Sequence, residues 1–385
     1  MKIIHITHRC RFLFLLLFLL IFIISIVGCE QAEKTEIQPE SKQEDQSSEV
    51  SVSPAEYKKD RIVPIKAIAE EFQGANGWLS DEIIVYTVNA GTKSSVYVYN
   101  LFTGEQNLLF ESSAPIATVT ISPTGKYVLI RSSPGTYENI LTVVKGNGKV
   151  LMNESLSSFD LAVEWNPYNE ESLLVSSFTE DWDFTSFHMD IETGSLQELK
   201  IREPFAKWAK NGQLLFLGWD SEDPSLFAPL IMQSINGDNE TEVMDNIFQF
   251  DAAKNRVMTI TVPSDESEQA VYTFMDNNFR KLSSLTVPHL TRFSDWLVPY
   301  YDWAEGNFIT FQPLYSAESD MYAGGFQLIA FDSETGAKEV VMEGMENTPI
   351  SCSPNGKACL AGFYLEELII LDSKEKVPLV ENKGI

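Results

Sequence analysis

The chain has 385 residues, with 28 basic and 55 acidic side chains, 44% apolar residues and four cysteines. This length and apolar content allow one large domain or two ordinary ones, each with a hydrophobic core. The formal charge of −27 repels phosphate backbones and argues against nucleic acid as a partner. The few cysteines and histidines exclude a disulfide scaffold and a cysteine-rich zinc module, so we expect neither a metal nor a cofactor.

Residues 1–28 predict a secretory signal. A basic start is followed by an apolar run over 12–27, interrupted only by Ser25, and the run leads into the tetrapeptide IVGC. This tetrapeptide resembles the lipobox of bacterial lipoproteins. The resemblance implies that a diacylglyceryl group is attached to Cys29 and that the chain is cut before it. A plain membrane helix is the alternative, but a run of sixteen residues falls short of the about 20 that span a bilayer.

The signal predicts that the mature protein lies on the extracytoplasmic face of the cell membrane, held there by its lipid. Removing the signal takes away three bases and no acid, which leaves 25 basic and 55 acidic side chains and a charge of −30. Residues 29–60 are Glu, Gln, Ser, Lys and Pro with almost no large apolar side chain, a composition that favours a disordered tether. The predicted domains are therefore the signal at 1–28, the tether at 29–60 and a folded domain at 61–385.

A sequence repeat fills the folded domain. Short strand-like runs alternate with turn residues, and the clearest unit, TVTISPTGKYVLIRSS at 118–133, returns as ISCSPNGKACLAGF at 350–363. Aligned on the turn, a bulky residue recurs at intervals of 42 to 44 residues and then at two longer ones. We expect this column to pack between the units as core. Its members are Trp78, Ile121, Trp165, Trp208, Phe250, Asp302 or Trp303, and Cys352.

Each unit continues with a third and usually a fourth strand, and four antiparallel strands in every 40–45 residues are typical of a β-propeller blade. Seven units lie between Gln73 and Glu381. The sequence therefore predicts an all-β propeller of about seven four-stranded blades, or of six if one unit is partial. The unit around Tyr300 is the most irregular, and residues 62–69 offer a closing strand that would protect the edge of the ring.

The Ser-Pro-x-Gly-Lys turns and the Trp-rich first strands resemble the TolB-type and WD-like propellers of bacterial envelope proteins. With the lipobox and the acidic tether, the whole chain resembles the YqgU-like lipoproteins of Gram-positive bacteria. This resemblance implies a six-bladed propeller, one blade fewer than the repeat count.

The lengths of the connections indicate which side of the ring binds a ligand. In a blade with strands A to D, the A–B and C–D turns open on one face, and the B–C and D–A connections open on the other. Here the turns are short and rich in Gly, Asn and Asp, whereas the B–C connections are longer and interleave acids with aromatics. That mixture suits a cationic peptide or an amine. The candidate ligand-binding residues are Asp181, Trp182, Asp183, Trp219, Asp220, Asp223, Asp320 and Tyr322.

Two alternatives stand beside this binding site. One is a solvated acidic rim whose aromatics pack within their own loops. The other is calcium, which clustered carboxylates bind, although the EF-hand spacing of ligands is missing from the sequence.

Sequence motifs give no support to catalysis. The nucleophile elbow, the zinc-binding HExxH motif, the P-loop and the dinucleotide fingerprint are all missing from the sequence. A Ser-His-Asp site has two histidines to draw on beyond the signal. His188 falls in a predicted strand, and His289 lies in the longest D–A connection, near Asp295.

We therefore expect a non-catalytic binding or scaffolding module for an envelope protein or peptide. One alternative is an envelope hydrolase or lyase that uses the long-loop face. The other is a carbohydrate sensor that stacks sugars on Trp182, Trp219 and Trp296.

Cys352 and Cys359 lie symmetrically about the Asn355-Gly356 turn, so they face each other across a hairpin. An oxidising compartment permits a disulfide between them. The expected register favours two buried thiols instead, because a hydrogen-bonded pair holds its Cβ atoms too far apart for easy bridging.

Overall fold

The computed structural model describes residues 57–66, 71–91, 93–220, 222, 225–263, 268–293 and 295–381. The predicted signal, Cys29 and most of the tether lie outside these residues, as does Asp223. Within the described ranges, no helix has the length and apolar character to cross a membrane.

Seven four-stranded antiparallel sheets follow one another along the described chain, one for each predicted repeat. We number them blades 1 to 7. Blade 1 has β1 (Phe72–Trp78), β2 (Ile83–Ala90), β3 (Lys93–Asn100) and β4 (Gln106–Ser112). Blade 2 has β5 (Ile116–Ile121), β6 (Tyr127–Gly135), β7 (Glu138–Lys145) and β8 (Val150–Ser157). Blade 3 has β9 (Asp160–Trp165), β10 (Ser172–Phe178), β11 (Phe184–Asp190) and β12 (Leu196–Leu199). Blade 4 has β13 (Lys207–Lys210), β14 (Gln213–Leu217), β15 (Ala228–Ser234) and β16 (Glu240–Ile247).

The second half of the ring repeats the pattern with one insertion. Blade 5 has β17 (Gln249–Ala253), β18 (Arg256–Thr261), β19 (Gln269–Met275) and β20 (Lys281–Pro288). A small sheet of β21 (Leu290–Thr291), β22 (Trp296–Leu297) and β25 (Ala317–Glu318) lies outside the blades. Blade 6 has β23 (Tyr301–Ala304), β24 (Asn307–Pro313), β26 (Phe326–Asp332) and β27 (Lys338–Met345). Blade 7 has β28 (Ile350–Cys352), β29 (Ala358–Ala361), β30 (Glu367–Ile370) and β31 (Glu375–Pro378). Two 3-10 helices cover Lys59–Arg61 and Ser319–Met321.

Hydrophobic cores join each blade to the next, and one of them joins blade 7 back to blade 1. The strand β6 contributes alternate side chains to two cores. Tyr127 and Leu129 belong to the core shared with blade 3, whereas Val128 and Ile130 belong to the core shared with blade 1. Because successive side chains of a strand point to opposite faces, and both faces are covered, the strands read as nearly continuous apolar runs.

The predicted propeller is confirmed, and its four-stranded sheets number seven in the described chain. The irregular unit around Tyr300 is a complete blade whose B–C connection carries the insertion. The bulky column packs as expected, since Trp78, Trp165 and Trp208 are all buried.

The repeated Ser-Pro-x-Gly-Lys turn is held by its serine and its glycine. The Ser122 hydroxyl accepts the Tyr127 N–H at 3.0 Å, and in blade 7 the Ser353 hydroxyl accepts the Ala358 N–H at 3.1 Å. Gly125 has φ +74°, and a Cβ there would collide with the Leu79 carbonyl of blade 1. Only glycine therefore permits this approach between two blades.

The segment before blade 1 closes the ring. Ile65 donates its N–H to the Leu379 carbonyl at 2.7 Å and accepts the Glu381 N–H at 3.0 Å, which forms one parallel bridge at the outer edge of blade 7. This is the described part of the predicted closing strand. Tyr57, four residues before the predicted start of the domain, is buried against Trp78 and Phe102 of blade 1.

Cys352 and Cys359 form a disulfide, so the expectation of two buried thiols was wrong. The hydrogen-bonded pair of this hairpin is one step closer to the turn, where the Ser353 N–H reaches the Ala358 carbonyl at 2.7 Å. The Cys352 N–H instead donates to the Asp302 carboxylate of blade 6 at 2.6 Å. The cysteines therefore form a non-hydrogen-bonded pair, in which strands approach more closely, and their Cα atoms are 3.9 Å apart.

Candidate functional site

The two faces of the ring differ in their connections. We call the side formed by the B–C and D–A connections the loop face, and the side formed by the A–B and C–D turns the turn face. The D–A connection before blade 6 and the B–C connection within it pair directly, because β21 lies parallel to β25. The two longest predicted loops thus lie on the same face, as expected.

Exposed apolar side chains are concentrated on the loop face. Sixteen large hydrophobic residues are exposed among those described, and thirteen of them lie in B–C or D–A connections. The other three, Leu108, Val150 and Leu196, lie on outer strands. The thirteen are Tyr137, Phe159, Trp182, Phe205, Trp219, Leu226, Phe293, Tyr300, Leu314, Tyr315, Met321, Phe363 and Tyr364.

Four of these side chains form one continuous surface across blades 2 to 4, which we call the aromatic patch: Tyr137, Phe159, Trp182 and Phe205. The Phe159 ring lies 6.3 Å from that of Tyr137 and 6.2 Å from that of Trp182. The buried Phe178 supports the patch from below, at 5.7 Å from both Trp182 and Phe205. Trp182 and Phe205 are each 62% exposed. Surfaces of this kind on a folded protein mark interaction sites.

The edge of the aromatic patch is acidic. Glu180, Asp181 and Asp183 are exposed in the same five-residue connection as Trp182, and Glu180 accepts the Tyr137 hydroxyl at 2.8 Å. The nearby Arg202 is neutralised, because its guanidinium donates to both carboxylate oxygens of Glu240. Negative charge beside aromatic rings favours a partner with lysine or arginine side chains.

The backbone presents Trp182 at a position that glycine prefers. Its φ is +66°, at the end of a turn in which the Trp182 N–H donates to the Thr179 carbonyl at 3.1 Å. A bulky residue in the left-handed region is uncommon and costs free energy. The strain places the indole at the tip of the connection, in contact with Phe159 and Phe178.

The other predicted site residues do not join this surface equally. Trp219 and Asp220 begin the B–C connection of the neighbouring blade 4, and Trp219 is 40% exposed. Asp320 and Tyr322 lie in the connection of blade 6, which blade 5 separates from blade 4. Tyr322 packs within its own loop, with its ring 5.0 Å from Tyr315 and its hydroxyl accepting the Leu314 N–H.

The histidines do not form a catalytic triad. His289 is 5% exposed, its ring packs on Trp296 at 5.7 Å, and its Nδ1 atom has no hydrogen-bond partner in the described structure. Burial lowers the pKa of His289. Asp295, its expected neighbour in catalysis, is paired with Arg292 at 2.8 Å. Trp296 is half-buried and packs on two rings of neighbouring connections, Phe248 at 4.9 Å and Phe227 at 5.5 Å.

His188 does contact a serine, but the pair is part of the interior of blade 3. Its Nε2 atom lies 2.6 Å from the Ser172 hydroxyl, and its ring meets the edge of Trp208. Ser172 is 3% exposed, so its hydroxyl has no access to a substrate. Across the described ranges, no group of three or more His, Cys, Asp or Glu side chains is arranged to hold a metal ion.

A cavity of about 540 Å³ lies where the inner strands of the blades meet. The residues that line it include Trp78, Trp165, Trp303, Glu164 and Asp302, together with A–B turn residues. Pro123, Lys254 and Pro354 of those turns also line it, so the cavity opens on the turn face. It is therefore on the side of the ring opposite to the aromatic patch.

A chain of charged groups runs along the inner strands. Lys207 lies between two carboxylates, with its Nζ atom 2.9 Å from Glu164 and 3.7 Å from Asp251. Burial lowers the pKa of Lys207, but the two carboxylates outweigh it, and the net direction is upward. Burial also raises the pKa of Glu164, against the effect of Lys207. Asp251 further accepts the Trp303 indole N–H at 3.0 Å, so the chain of contacts from Glu164 to Trp303 joins four blades, 3 to 6.

The family model for the YqgU-like six-bladed β-propeller domain matches residues 100–362. The chain belongs to this family. It is 26% identical over 369 residues to the "Uncharacterized lipoprotein YqgU" of Bacillus subtilis (strain 168), which covers 95% of this chain and 96% of that relative. The family description gives six blades, whereas this YqgU-like propeller has seven four-stranded sheets in the part of the chain that is described.

Solved structures support the fold. An uncharacterized protein of Listeria monocytogenes EGD-e superposes with a TM-score of 0.78 at 21% identity, covering 84% of this chain and 99% of that one. The β-propeller domain of the Trilobed protease from Pyrococcus furiosus gives a TM-score of 0.54 at 15% identity, covering 82% and 100%. Both likenesses concern the fold alone.

The charged inner residues of this YqgU-like propeller were not among the predicted site residues. The signal for them was present in the repeat alignment. Glu164, Lys207 and Asp302 each stand immediately before a tryptophan of the bulky column. Adjacent residues of a strand point to opposite faces, so the position before the tryptophan faces the next blade close to the axis.

Proposed function

We propose that this YqgU-like propeller is a lipid-anchored, extracytoplasmic binding module that docks a positively charged segment of an envelope protein on its loop face. The observation that carries the proposal is the placement of thirteen of the sixteen exposed large hydrophobic residues on that face. A solvated rim has no need of such a surface, because exposed apolar area costs free energy in water.

The aromatic patch is the centre of the proposed docking surface. Its indole and phenyl rings supply the large, rigid contacts that carry most of the binding energy at protein interfaces. Asp181 and Asp183 supply the charge that selects lysine or arginine and discriminates against acidic segments.

The anchor is proposed from the lipobox at Cys29 and from the lipoprotein name of the Bacillus relative. Tyr57, the first described residue, lies on the turn face, because its hydroxyl donates to the carbonyl of Asp81 in an A–B turn. The Tyr57 ring also packs on Phe102, in a C–D turn. A tether that joins the turn face leaves the loop face free to meet a partner.

Site-specific photo-crosslinking in intact membranes tests the proposal. Benzoylphenylalanine replaces Phe205 in the anchored full-length chain, and in a matched control it replaces Leu108, which is exposed on an outer strand. We expect a discrete adduct with an envelope protein from position 205 and none from position 108. Asp181→Asn together with Asp183→Asn should reduce the adduct, and a lysine-rich peptide should compete for it where a glutamate-rich peptide does not.

Two results would contradict docking on the loop face. One is equal adducts from both positions. The other is an adduct from position 205 that resists both the double Asp variant and the lysine-rich peptide, which would indicate a site without charge selection.

A further inference from the structure

We propose a second binding site, the central cavity, which takes a small aliphatic amine, with its ammonium group on Asp302. The cavity has a volume of about 540 Å³, which falls in the usual range for small-molecule sites, about 300–1,000 Å³. The site opens on the turn face and shares no residue with the aromatic patch, so it stands independently of the proposed docking function.

Among the charged groups of the inner strands, Asp302 is the carboxylate that has no cation as a partner in the described structure. Lys207 is shared by Glu164 and Asp251. Asp302 accepts only backbone N–H groups in the described structure, from Trp303 on Oδ1 at 2.8 Å and from Cys352 on Oδ2 at 2.6 Å. Each carboxylate oxygen accepts two hydrogen bonds, so each keeps one free position. A desolvated carboxylate without a positive partner is costly, and an ammonium group in the cavity supplies that partner.

The remaining wall is suited to the rest of such a ligand. The rings of Trp78 and Trp303 offer aromatic surface for the alkyl chain and favour a cation nearby. Lys254 stands exposed at the mouth, on the A–B turn of blade 5. Its positive charge at the entrance disfavours ligands with cationic groups at both ends. The apolar part of the wall disfavours large polar ligands.

Titration calorimetry with 4-aminobutan-1-ol tests the site on the full-length chain in detergent, and butane-1,4-diol is the neutral probe of matched size. We expect saturable binding of the amine and at least tenfold weaker binding of the diol. Asp302→Asn should weaken amine binding at least tenfold, whereas Glu198→Gln, exposed on the outer strand β12, should leave it unchanged.

The pH dependence of the wild-type protein keeps the test decisive if Asp302→Asn does not fold. Burial raises the pKa of Asp302 to about 6, with the backbone N–H groups of Cys352 and Trp303 opposing and Asp251 adding to the rise. Glu164 and Lys254 are the other charged groups of the cavity wall. Binding to the ionised carboxylate should weaken about tenfold for each pH unit below 6.

Equal affinity for the amine and the diol would overturn the proposal. So would amine binding that is independent of pH between 4.5 and 7, or the lack of saturable binding by either probe. None of these results bears on the crosslink at position 205, so failure here is distinct from failure of the docking function.

Discussion

Substitutions of Trp182 should affect partner binding and protein stability differently. Replacing it by glycine relieves a left-handed backbone that costs about 1–3 kcal/mol and removes ring contacts of similar size, so we expect the free energy of unfolding to change by less than about 1 kcal/mol. Trp182→Ala loses the ring but keeps the strained φ, and should be about 1 kcal/mol less stable than Trp182→Gly. Chemical denaturation measures both.

Both variants should lose the crosslink at position 205, because both lack the indole. A Trp182→Gly variant that keeps the crosslink would show that the indole does not contribute to docking. A glycine variant less stable than the alanine variant would contradict the strain argument.

Asp302 should give the protein an unusual pH dependence. Its pKa of about 6 lies above the ordinary value of about 3.9, so above pH 3.9 the unfolded chain releases its proton while the folded chain holds it until about pH 6. The contribution of Asp302 to stability is therefore present below pH 3.9 and is lost as the pH rises to about 6. We expect the titration of Asp302 to lower the melting temperature as the pH rises from 4.5 to 6.5.

Asp302→Asn tests that dependence as a difference between two profiles. The amide does not titrate, so the variant should lack this component of the fall, whatever its own stability. Parallel profiles of the two proteins would show that other groups are responsible. Glu164 and Glu203 are the relevant ones, since burial raises the pKa of both.

At the scale of elements, the disulfide hairpin of blade 7 connects three blades. Besides the Cys352 contact with blade 6, the Ser351 carbonyl accepts the Trp78 indole N–H of blade 1 at 2.9 Å, and the Asn355 N–H donates to Asp81 of blade 1 at 2.8 Å. The bond closes a loop of few residues, so its entropic contribution is about 2 kcal/mol.

We expect the unfolded, unreduced mature chain to show no free thiol, and two after reduction. Reduction should lower the melting temperature, and the Cys352→Ala, Cys359→Ala double variant, as the control, should not respond to the reductant. Two free thiols without a reductant would contradict the bond.

A feature could be predicted from the sequence when it is determined within one repeat, and could not when it depends on contacts or turn geometry that only the folded chain shows. The bulky column was predictable because Trp165 and Trp208 occupy equivalent places in units that fold alike. The disulfide was not, because the hydrogen-bonding pattern of its hairpin follows from the type of turn: the Ser353 carbonyl accepts the Gly356 N–H at 2.8 Å, which makes Ser353 and Ala358 the hydrogen-bonded pair and leaves the cysteines in the closer, non-hydrogen-bonded position. The aromatic patch was only half predictable: Trp182 lies in a long connection, whereas Phe159 and Phe205 become neighbours of Trp182 only when three blades are set side by side.

At the scale of the whole molecule, the turn face and the loop face have separate roles. Tyr57, the first described residue, lies on the turn face, which also holds the mouth of the cavity, and the loop face carries the exposed aromatics. A ring anchored from the turn face should therefore keep its loop face away from the membrane, however short the tether is. The predicted tether, residues 29–60, is long enough to hide this preference, since an extended residue reaches about 3.5 Å.

Shortening the tether should expose the preference. In a chain lacking residues 32–52, we expect a bulky polyethylene glycol maleimide to label Asp320→Cys on the loop face as fast as in the full-length chain, and to label Lys149→Cys, in a C–D turn, several-fold more slowly. Both positions are exposed, and the paired Cys352 and Cys359 do not compete for the reagent. Two controls accompany the comparison. Cys29→Ala should abolish fatty-acid labelling, and the shortened chain extracted into detergent, where no membrane shields either face, should be labelled at equal rates at the two positions. Slower labelling of Asp320→Cys than of Lys149→Cys in the shortened chain would mean that the loop face lies against the membrane, and the docking surface would then have to be assigned to a lipid and not to a protein.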